Sequence, residues 1–160
     1  MAGLVAVSLL AGCGFKLRSS QNFAFQTVAV TPERGAGVAA ELTRYLGEAV
    51  RPVAPRDGGA PPEAIVDILQ ELREKTVVGV NASGQVREFQ LRLTVKFRLR
   101  TPQGTEPIAT TEIVQQRDIS FSETAALAKE AEEALLYKDM QADIVQQLLR
   151  RLGAAKIVNP

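Results

Sequence analysis

The segment Val86–Arg100 constrains the fold of this chain more than any other. From Phe89 onward every second position is apolar, and polar or basic residues fill the positions between. The apolar set is Phe89, Leu91, Leu93, Val95, Phe97 and Leu99, and the polar set is Gln90, Arg92, Thr94, Lys96, Arg98 and Arg100. A period of two over such a length predicts a long β-strand with one buried side and one wet side.

Three further extended segments accompany this strand. Two of them, at residues 64–80 and 107–121, are rich in apolar or β-branched residues. Turn-forming residues at 81–84 and 102–104 separate these two segments from the strand at Val86–Arg100. Residues 25–30 predict a short strand that stops at Thr31 and Pro32. In residues 64–80 we expect the alternation to place five apolar residues in one phase, that is, on one side of the strand: Val66, Ile68, Leu72, Val78 and Val80.

Two amphipathic helices are predicted, at residues 35–50 and 122–152. Ser122 or Thr124 is expected as the N-cap of the second helix, and Gly153 stands where a C′ glycine belongs. The stripe of the first helix is Val38, Leu42, Tyr45, Leu46 and Ala49. The inner stripe of the second is Leu127, Ala131, Leu135, Met140, Ile144, Leu148 and Leu152, with Tyr137 in the core or an interface.

The order of these elements is β-α-β-β-β-α, and the chain of 160 residues fits one domain without repeats. Two helices packed on one face of a four-stranded, mostly antiparallel (mixed) sheet bury the apolar stripes most economically. We therefore predict the α+β class. The other face of the sheet is expected to be wholly or partly solvated.

Composition excludes several kinds of chemistry. The chain has no His, no Trp and one Cys, which rules out His-dependent catalysis, His/Cys zinc sites and internal disulfides. The carboxylates Asp67, Glu71 and Glu112 lie in strands without a phosphate loop, metal-ligand spacing or nucleophile elbow. We predict a protein that is not an enzyme, with no catalytic site, metal or cofactor.

The balanced charge, 19 basic against 18 acidic residues, argues against a global field that attracts nucleic acid. Single-stranded nucleic acid would need aromatic side chains beside basic ones. Phe89 and Phe97 alternate with the basic residues and are expected on the opposite side of the strand. The sequence therefore predicts no nucleic-acid partner.

The first residues resemble a secretory signal. Residues 1–10 are apolar and uncharged but too short to span a bilayer. They lead into Leu10-Ala11-Gly12-Cys13, which matches the bacterial lipobox. We expect a signal peptide at 1–12, truncated at its basic start because no Lys or Arg precedes Lys16, and a lipidated segment at 13–22 anchored through Cys13. The alternative is a Cys buried in a first strand.

Two groups of basic residues are candidate anion contacts. Arg92, Lys96, Arg98 and Arg100 share one side of the predicted strand, whose net charge is 5 − 1 = +4. This side either binds a phosphate-bearing ligand or is a solvated face paired with Glu112 or Asp118. Lys129 stands near the start of the last helix and is either an anion contact or a surface residue paired with Glu133.

In its motifs and their order, the chain resembles the LptE family of LPS-assembly lipoproteins, over nearly its whole length. The residues that carry the resemblance are the lipobox running into Gly14-Phe15-Lys16-Leu17-Arg18, the hairpin entry at 81–89, Leu127-Ala128-Lys129-Glu130, and the ending from Asp139-Met140 to 146–152. The resemblance implies a small domain of two helices on a four-stranded sheet. On this basis 23–153 is the LptE-like domain and 154–160 a C-terminal tail.

The resemblance also implies a function. It indicates a lipid-anchored, periplasm-facing lipoprotein of the outer membrane that plugs an LptD-like β-barrel as a 1:1 heterodimer, helps assemble it and delivers lipopolysaccharide. Family members are described as binding lipopolysaccharide through basic residues at the second hairpin and in the Leu-Ala-Lys motif. Lys129 matches that motif, whereas Ala82 stands at the hairpin turn and Arg87 is a neighbour. Lys129, Arg87 and Arg92 are the predicted contacts. The alternative is a free periplasm-facing lipid-binding or chaperone-like lipoprotein without a barrel partner.

Overall fold

Long strands and one long helix dominate the computed structural model, which describes residues 22–55 and 58–157. The lipobox and Cys13 lie outside the described residues. The predicted order of elements is confirmed. In chain order the elements are β1 (Val28–Thr31), α1 (Gly37–Leu46) with a 3₁₀ turn at Gly47–Ala49, β2 (Ala64–Val80), β3 (Val86–Arg100), β4 (Ile108–Ser120), a 3₁₀ turn at Glu123–Ala125 and α2 (Ala126–Ala154).

The four strands form one mixed sheet in the order β1-β2-β3-β4. β1 runs parallel to β2, and the other neighbours are antiparallel. β3 is paired on both sides along its length, whereas β1 covers only the first four residues of β2. Beyond Asp67, β2 therefore has no second neighbour among the described residues. The predicted α+β class and the mixed sheet are confirmed.

Both helices pack on one face of the sheet, as predicted. The apolar set of β3 from Leu91 to Leu99 is fully buried on that face. From α1, Val38 and Leu42 are buried, and from α2 the buried residues include Tyr137, Met140, Ile144, Leu148 and Leu152. The alternate residues of β3 lie on the other face, which we call the open face.

The first half of α2 differs from the prediction. Leu127 and Leu135 are 83% and 62% exposed, because the buried stripe passes through Tyr137 instead. A step of five residues from Leu135 to Met140 turns a helix by roughly 140° beyond a full turn, so the two predicted halves of the stripe could not share a face.

The ends of α2 also differ from the prediction. Ser122 and Thr124 do not cap α2, since a 3₁₀ turn intervenes and their hydroxyls lie 2.9 Å apart. Gly153 is inside the helix, which ends at Ala154. The helix therefore starts later and ends later than the capping pattern indicated.

In β2, a bulge overturns the predicted phase. The register of β2 against β3 shifts between Ile68 and Gln70, so Leu72 pairs with Thr94 of the open face. Leu72, Val78 and Val80 are exposed rather than buried. On the helix side, the bulge places charged residues, among them Glu71, instead of apolar ones. An extra residue in one strand leaves no mark in an apolar sequence pattern.

The first strand and helix are shorter than predicted. Phe25 precedes β1, although it is buried and stacks on Phe23 with ring centroids 5.0 Å apart. α1 begins at Gly37, whose φ of +57° is one that glycine adopts readily. The Glu71 carboxylate lies so close to this residue that it would clash with a Cβ atom there. The same carboxylate accepts a hydrogen bond from the Val38 N–H at 2.8 Å, which satisfies one free donor of the helix N-terminus. Tyr45, placed in the stripe by its spacing, is 44% exposed.

At the β1 end of the open face, Asp67 of β2 links Thr31 of β1 to two arginines of β3. Its carboxylate accepts hydrogen bonds from the Thr31 hydroxyl at 2.8 Å, Arg98 Nε at 2.7 Å and Arg100 Nε at 2.8 Å. Burial raises the pKa of Asp67, but the hydrogen bonds from Arg100, Thr31 and Arg98 outweigh that effect and hold the pKa below its ordinary value. Arg98 and Arg100 are thus paired internally, which favours a structural role for them.

We expect Asp67→Asn to lower the free energy of unfolding by about 1.5–3 kcal/mol near neutral pH, because two charged hydrogen bonds are weakened. The folded-state pKa lies below the unfolded-state value, so this stabilisation is complete above the unfolded pKa and disappears as pH falls through the folded pKa. Urea unfolding across the acid range measures both effects. Asp118→Asn, which removes an exposed carboxylate of β4, is the control. The assignment would be contradicted if the free energy of unfolding fell as steeply with decreasing pH in Asp67→Asn as in the wild type.

Candidate functional site

At the end of the sheet away from β1, the first half of α2 and the unpaired part of β2 form a cleft of about 630 Å³. A smaller pocket of about 130 Å³ shares part of its lining and reaches β3 and β4. We call the two together the distal cleft. Its charged and aromatic lining residues are Arg73, Lys75, Phe89, Phe121, Lys129, Glu130, Glu133 and Tyr137.

Lys129 projects from α2 into the smaller pocket. Its ammonium group donates to the Ser120 hydroxyl at 3.0 Å and to Glu132 Oε2 at 2.8 Å, and its side chain is 22% exposed. The predicted pairing of Lys129 with Glu133 is wrong. Glu133 instead forms an ion pair with Lys75 of β2, at 2.6 Å. The Lys129 ammonium is therefore held at the pocket wall by neutral and acidic oxygens.

Lys75 is a site residue that the sequence did not reveal. Its ammonium lies 4.3 Å from the centroid of the Phe89 ring, within range of a cation–π interaction. Phe89 in turn packs edge-to-face on Phe121, with centroids 5.3 Å apart. Two ammonium groups, Lys75 and Lys129, thus line one pocket with an aromatic floor. Such a pocket suits a ligand with both anionic and apolar parts. Because carboxylates hold both cations, the ligand must compete with them.

Tyr137 closes the cleft at the edge of the sheet. Its hydroxyl donates to the backbone carbonyl oxygen of Glu74 at 2.7 Å, and the Arg73 guanidinium lies 5.3 Å from its ring centroid. Burial and then the negative charges of Glu133 and Glu74 raise the pKa of Tyr137, against the opposing effect of Arg73. The phenol therefore stays protonated and acts as a hydrogen-bond donor to β2.

The structure brings one of the other predicted contacts to this end and places another elsewhere. Arg87 lies at the start of β3, donates to Gln85 at 3.3 Å and lines a separate pocket with Ser122 and Thr124, just before α2. Arg92 lies on the open face, where its guanidinium donates to the side-chain oxygen of Gln116. The sheet therefore separates Arg92 from Lys129.

The remaining basic residue of the open face is also engaged. Lys96 lies 3.8 Å from Glu112, as predicted for a solvated face, whereas Asp118 accepts from Gln90 rather than from a basic residue. Among residues 22–55 and 58–157, no group of His, Cys, Asp or Glu side chains is arranged to hold a metal ion. Within the same ranges, no helix has the length and apolar character needed to cross a membrane.

Comparisons with known proteins match most of the chain. The family model described as LptE, lipopolysaccharide-assembly, matches residues 25–152. A protein of Pectobacterium atrosepticum named LPS-assembly lipoprotein LptE is 28% identical over 153 residues, covering 92% of this chain and 80% of that protein. A protein of the same name from Photorhabdus laumondii is 25% identical, with 92% of this chain and 81% of that protein covered.

Solved structures agree with this assignment. The solution structure of an uncharacterized lipoprotein B from Nitrosomonas europaea superimposes with a TM-score of 0.70 at 38% identity, covering 88% of this chain and 91% of that one. The rare lipoprotein B of Shewanella oneidensis shares the fold, with a TM-score of 0.63 at 19% identity over 80% of this chain and 92% of that one. With the family model matching almost all of the sheet and both helices, the chain belongs to the LptE family.

Proposed function

We propose that the chain is an LPS-assembly lipoprotein of the outer membrane, anchored through Cys13 and facing the periplasm. It plugs and helps assemble an LptD-like β-barrel as its 1:1 partner, and it contacts lipopolysaccharide directly. The observation that carries the proposal is the family match over residues 25–152, which follows the lipobox with a short interval. The relatives named LPS-assembly lipoprotein LptE support the same function.

The proportions of the fold suit a plug. β3 has 15 residues and α2 has 29, which correspond to roughly 50 Å and 44 Å at the usual rise per residue. The sheet is only four strands wide, and both helices lie along one face. An elongated body of this kind fits inside a wide barrel more readily than a sphere of equal volume.

The distal cleft is the proposed contact with lipopolysaccharide. Lipid A carries phosphates next to acyl chains, and the smaller pocket sets the Lys75 and Lys129 ammonium groups beside Phe89 and Phe121. Charged hydrogen bonds to phosphate are stronger than neutral ones, so the ligand is expected to displace Glu132 from Lys129. Arg87 is a further basic residue at this end of the sheet, in a neighbouring pocket. A contact by Arg92 would use the open face and is a separate prediction.

The test is recovery of the partner from outer membranes. Affinity-tagged protein expressed from its full reading frame is purified with native Cys13, with Cys13→Ala and with the matched control Ser19→Ala, and partners are identified by mass spectrometry. A stoichiometric large barrel protein is expected with native Cys13 and with Ser19→Ala, and much less of it with Cys13→Ala. Lipidated protein recovered without a barrel would overturn the proposal and support the free lipid-binding alternative.

A further inference from the structure

The unpaired backbone edge of β2 is not explained by the proposed lipopolysaccharide contact, which uses side chains of this strand and not its backbone groups. β1 ends its pairing at Asp67, so from Ile68 to Val80 the outer side of β2 carries backbone groups with no strand beside them in the described chain. Sheet edges of this length are templates for pairing with another strand. A free edge alone is common, and a second observation is needed to identify a partner site.

Exposed apolar side chains supply that second observation. Of the nine large hydrophobic side chains that are exposed in the described residues, five lie along this edge. They form two groups, at Leu69 and Leu72 and at Val77, Val78 and Val80, on either side of a charged middle. The outer edge of β4, which likewise has no neighbouring strand in the described part of the chain, carries only Val114 among them. Apolar surface and free backbone groups thus coincide on β2.

From this coincidence we infer that the β2 edge from Gln70 to Val80 is a strand-addition site for an extended segment of the barrel partner. The inference rests on the proposed function for the identity of the partner. Acyl chains could cover the apolar groups, but they cannot satisfy N–H and C=O groups, whereas an added strand does both. On the helix side, Arg73 and Lys75 remain 48% and 36% exposed, so acidic side chains are expected opposite them in the added strand.

A second copy of this chain fits the edge poorly. In an antiparallel pair with Glu74 opposite its copy, Arg73 would face Lys75, and like charges directly opposite each other are destabilising. With Arg73 opposite its copy, Leu72 would face Glu74. Glu71, which would then face Lys75, is already held at the start of α1 by the Val38 N–H. A different polypeptide is therefore the expected occupant.

The register of β2 against β3 indicates which backbone groups are available. The Phe121 N–H donates to the Arg87 carbonyl and the Thr101 N–H to the Thr105 carbonyl, so odd-numbered residues of β3 face β4 and even-numbered ones face β2. Val77 lies opposite Phe89, which faces β4, so the N–H group of Val77 points toward the free side, as does that of Lys75 opposite Leu91. Proline is tolerated where a strand's N–H faces outward, but it removes that donor.

The test compares Val77→Pro with Val77→Ile, which keeps both the donor and an apolar side chain, in the outer-membrane purification. Val77→Pro is expected to reduce recovery of the barrel roughly tenfold, and Val77→Ile to leave it unchanged. If Val77→Pro does not fold, hydrogen exchange on the wild-type complex decides: amides in 70–80 should exchange at least about tenfold more slowly with the barrel bound, and those in 110–118 should not.

Each contrary outcome has a distinct meaning. No barrel with the wild type refutes the proposed function, whereas a barrel recovered with no protection of 70–80, or recovered equally with a folded Val77→Pro, refutes the strand addition alone. Protection of 70–80 by lipopolysaccharide vesicles without the barrel that equals the protection given by the barrel assigns the edge to lipid and overturns the inference. Protection that rises with protein concentration in the isolated chain assigns it to a second copy and overturns the inference as well.

Discussion

Replacing Phe97 with alanine is expected to lower the free energy of unfolding by about 3–5 kcal/mol. Phe97 lies on β3, the strand paired on both sides, and its side chain is fully buried between the sheet and the helices. Removing its ring costs the transfer free energy and leaves a cavity that two long strands and α2 cannot close easily. Domains are usually stable by only about 5–15 kcal/mol, so this single change removes a large share of the margin.

The measurement is urea unfolding of the mature domain, with Val114→Ala as the control. Val114 lies on β4 with 38% of its surface exposed, so its truncation is expected to change the free energy of unfolding by about 0.5 kcal/mol or less. Equal effects of the two substitutions would contradict the placement of the core between β3 and the helices.

Lys129→Glu is expected to weaken lipopolysaccharide binding by the purified protein at least about tenfold. A hydrogen bond to a charged group contributes about 1.5–3 kcal/mol, and 1.4 kcal/mol is a tenfold change in affinity. The substitution also places a carboxylate beside Glu132 and Glu133 in the distal cleft, which repels phosphate. Binding is measured with lipopolysaccharide vesicles at more than one salt concentration, because a phosphate contact weakens as salt rises.

Lys138→Glu provides the matched control for this substitution. Lys138 lies on the same helix but is exposed, and it does not line either pocket of the distal cleft. The two variants have the same net charge, so a general electrostatic effect would weaken binding equally in both. A loss confined to Lys129→Glu supports the distal cleft, and equal losses would contradict it.

β3 and β2 show where sequence patterns succeed and where they stop. The bounds of both strands were predicted to the residue, and the buried side of β3 was confirmed, because strict alternation reports a half-buried strand directly. The buried side of β2 beyond Ile68 was wrong, because the bulge between Ile68 and Gln70 moves the side chains from Gln70 to Val77 to the other face, and further register shifts follow Val77. Bulges depend on the neighbouring strands, which a single strand's pattern does not contain.

The same limit applies to the distal cleft. Lys129 could be named as a candidate because a lysine among acids near a helix start is unusual. Lys75 could not, since its position on the cleft side follows from the β2 bulge and its partners Phe89 and Glu133 come from distant parts of the chain. Arg92 was grouped with Lys129 by charge, although the sheet separates them. Residue type identifies candidates, and only the strand register assembles them.

Contact between the distal cleft and lipopolysaccharide is tested most directly by photocrosslinking in living cells. A photoreactive side chain replaces Ala134, which lines the cleft without contributing charge, and in a second strain it replaces Glu48, which is exposed beyond the end of α1. A lipopolysaccharide adduct is expected at position 134 and none at position 48. An adduct at position 48 with none at 134, or no adduct at either while the barrel partner is present, would contradict the proposed contact.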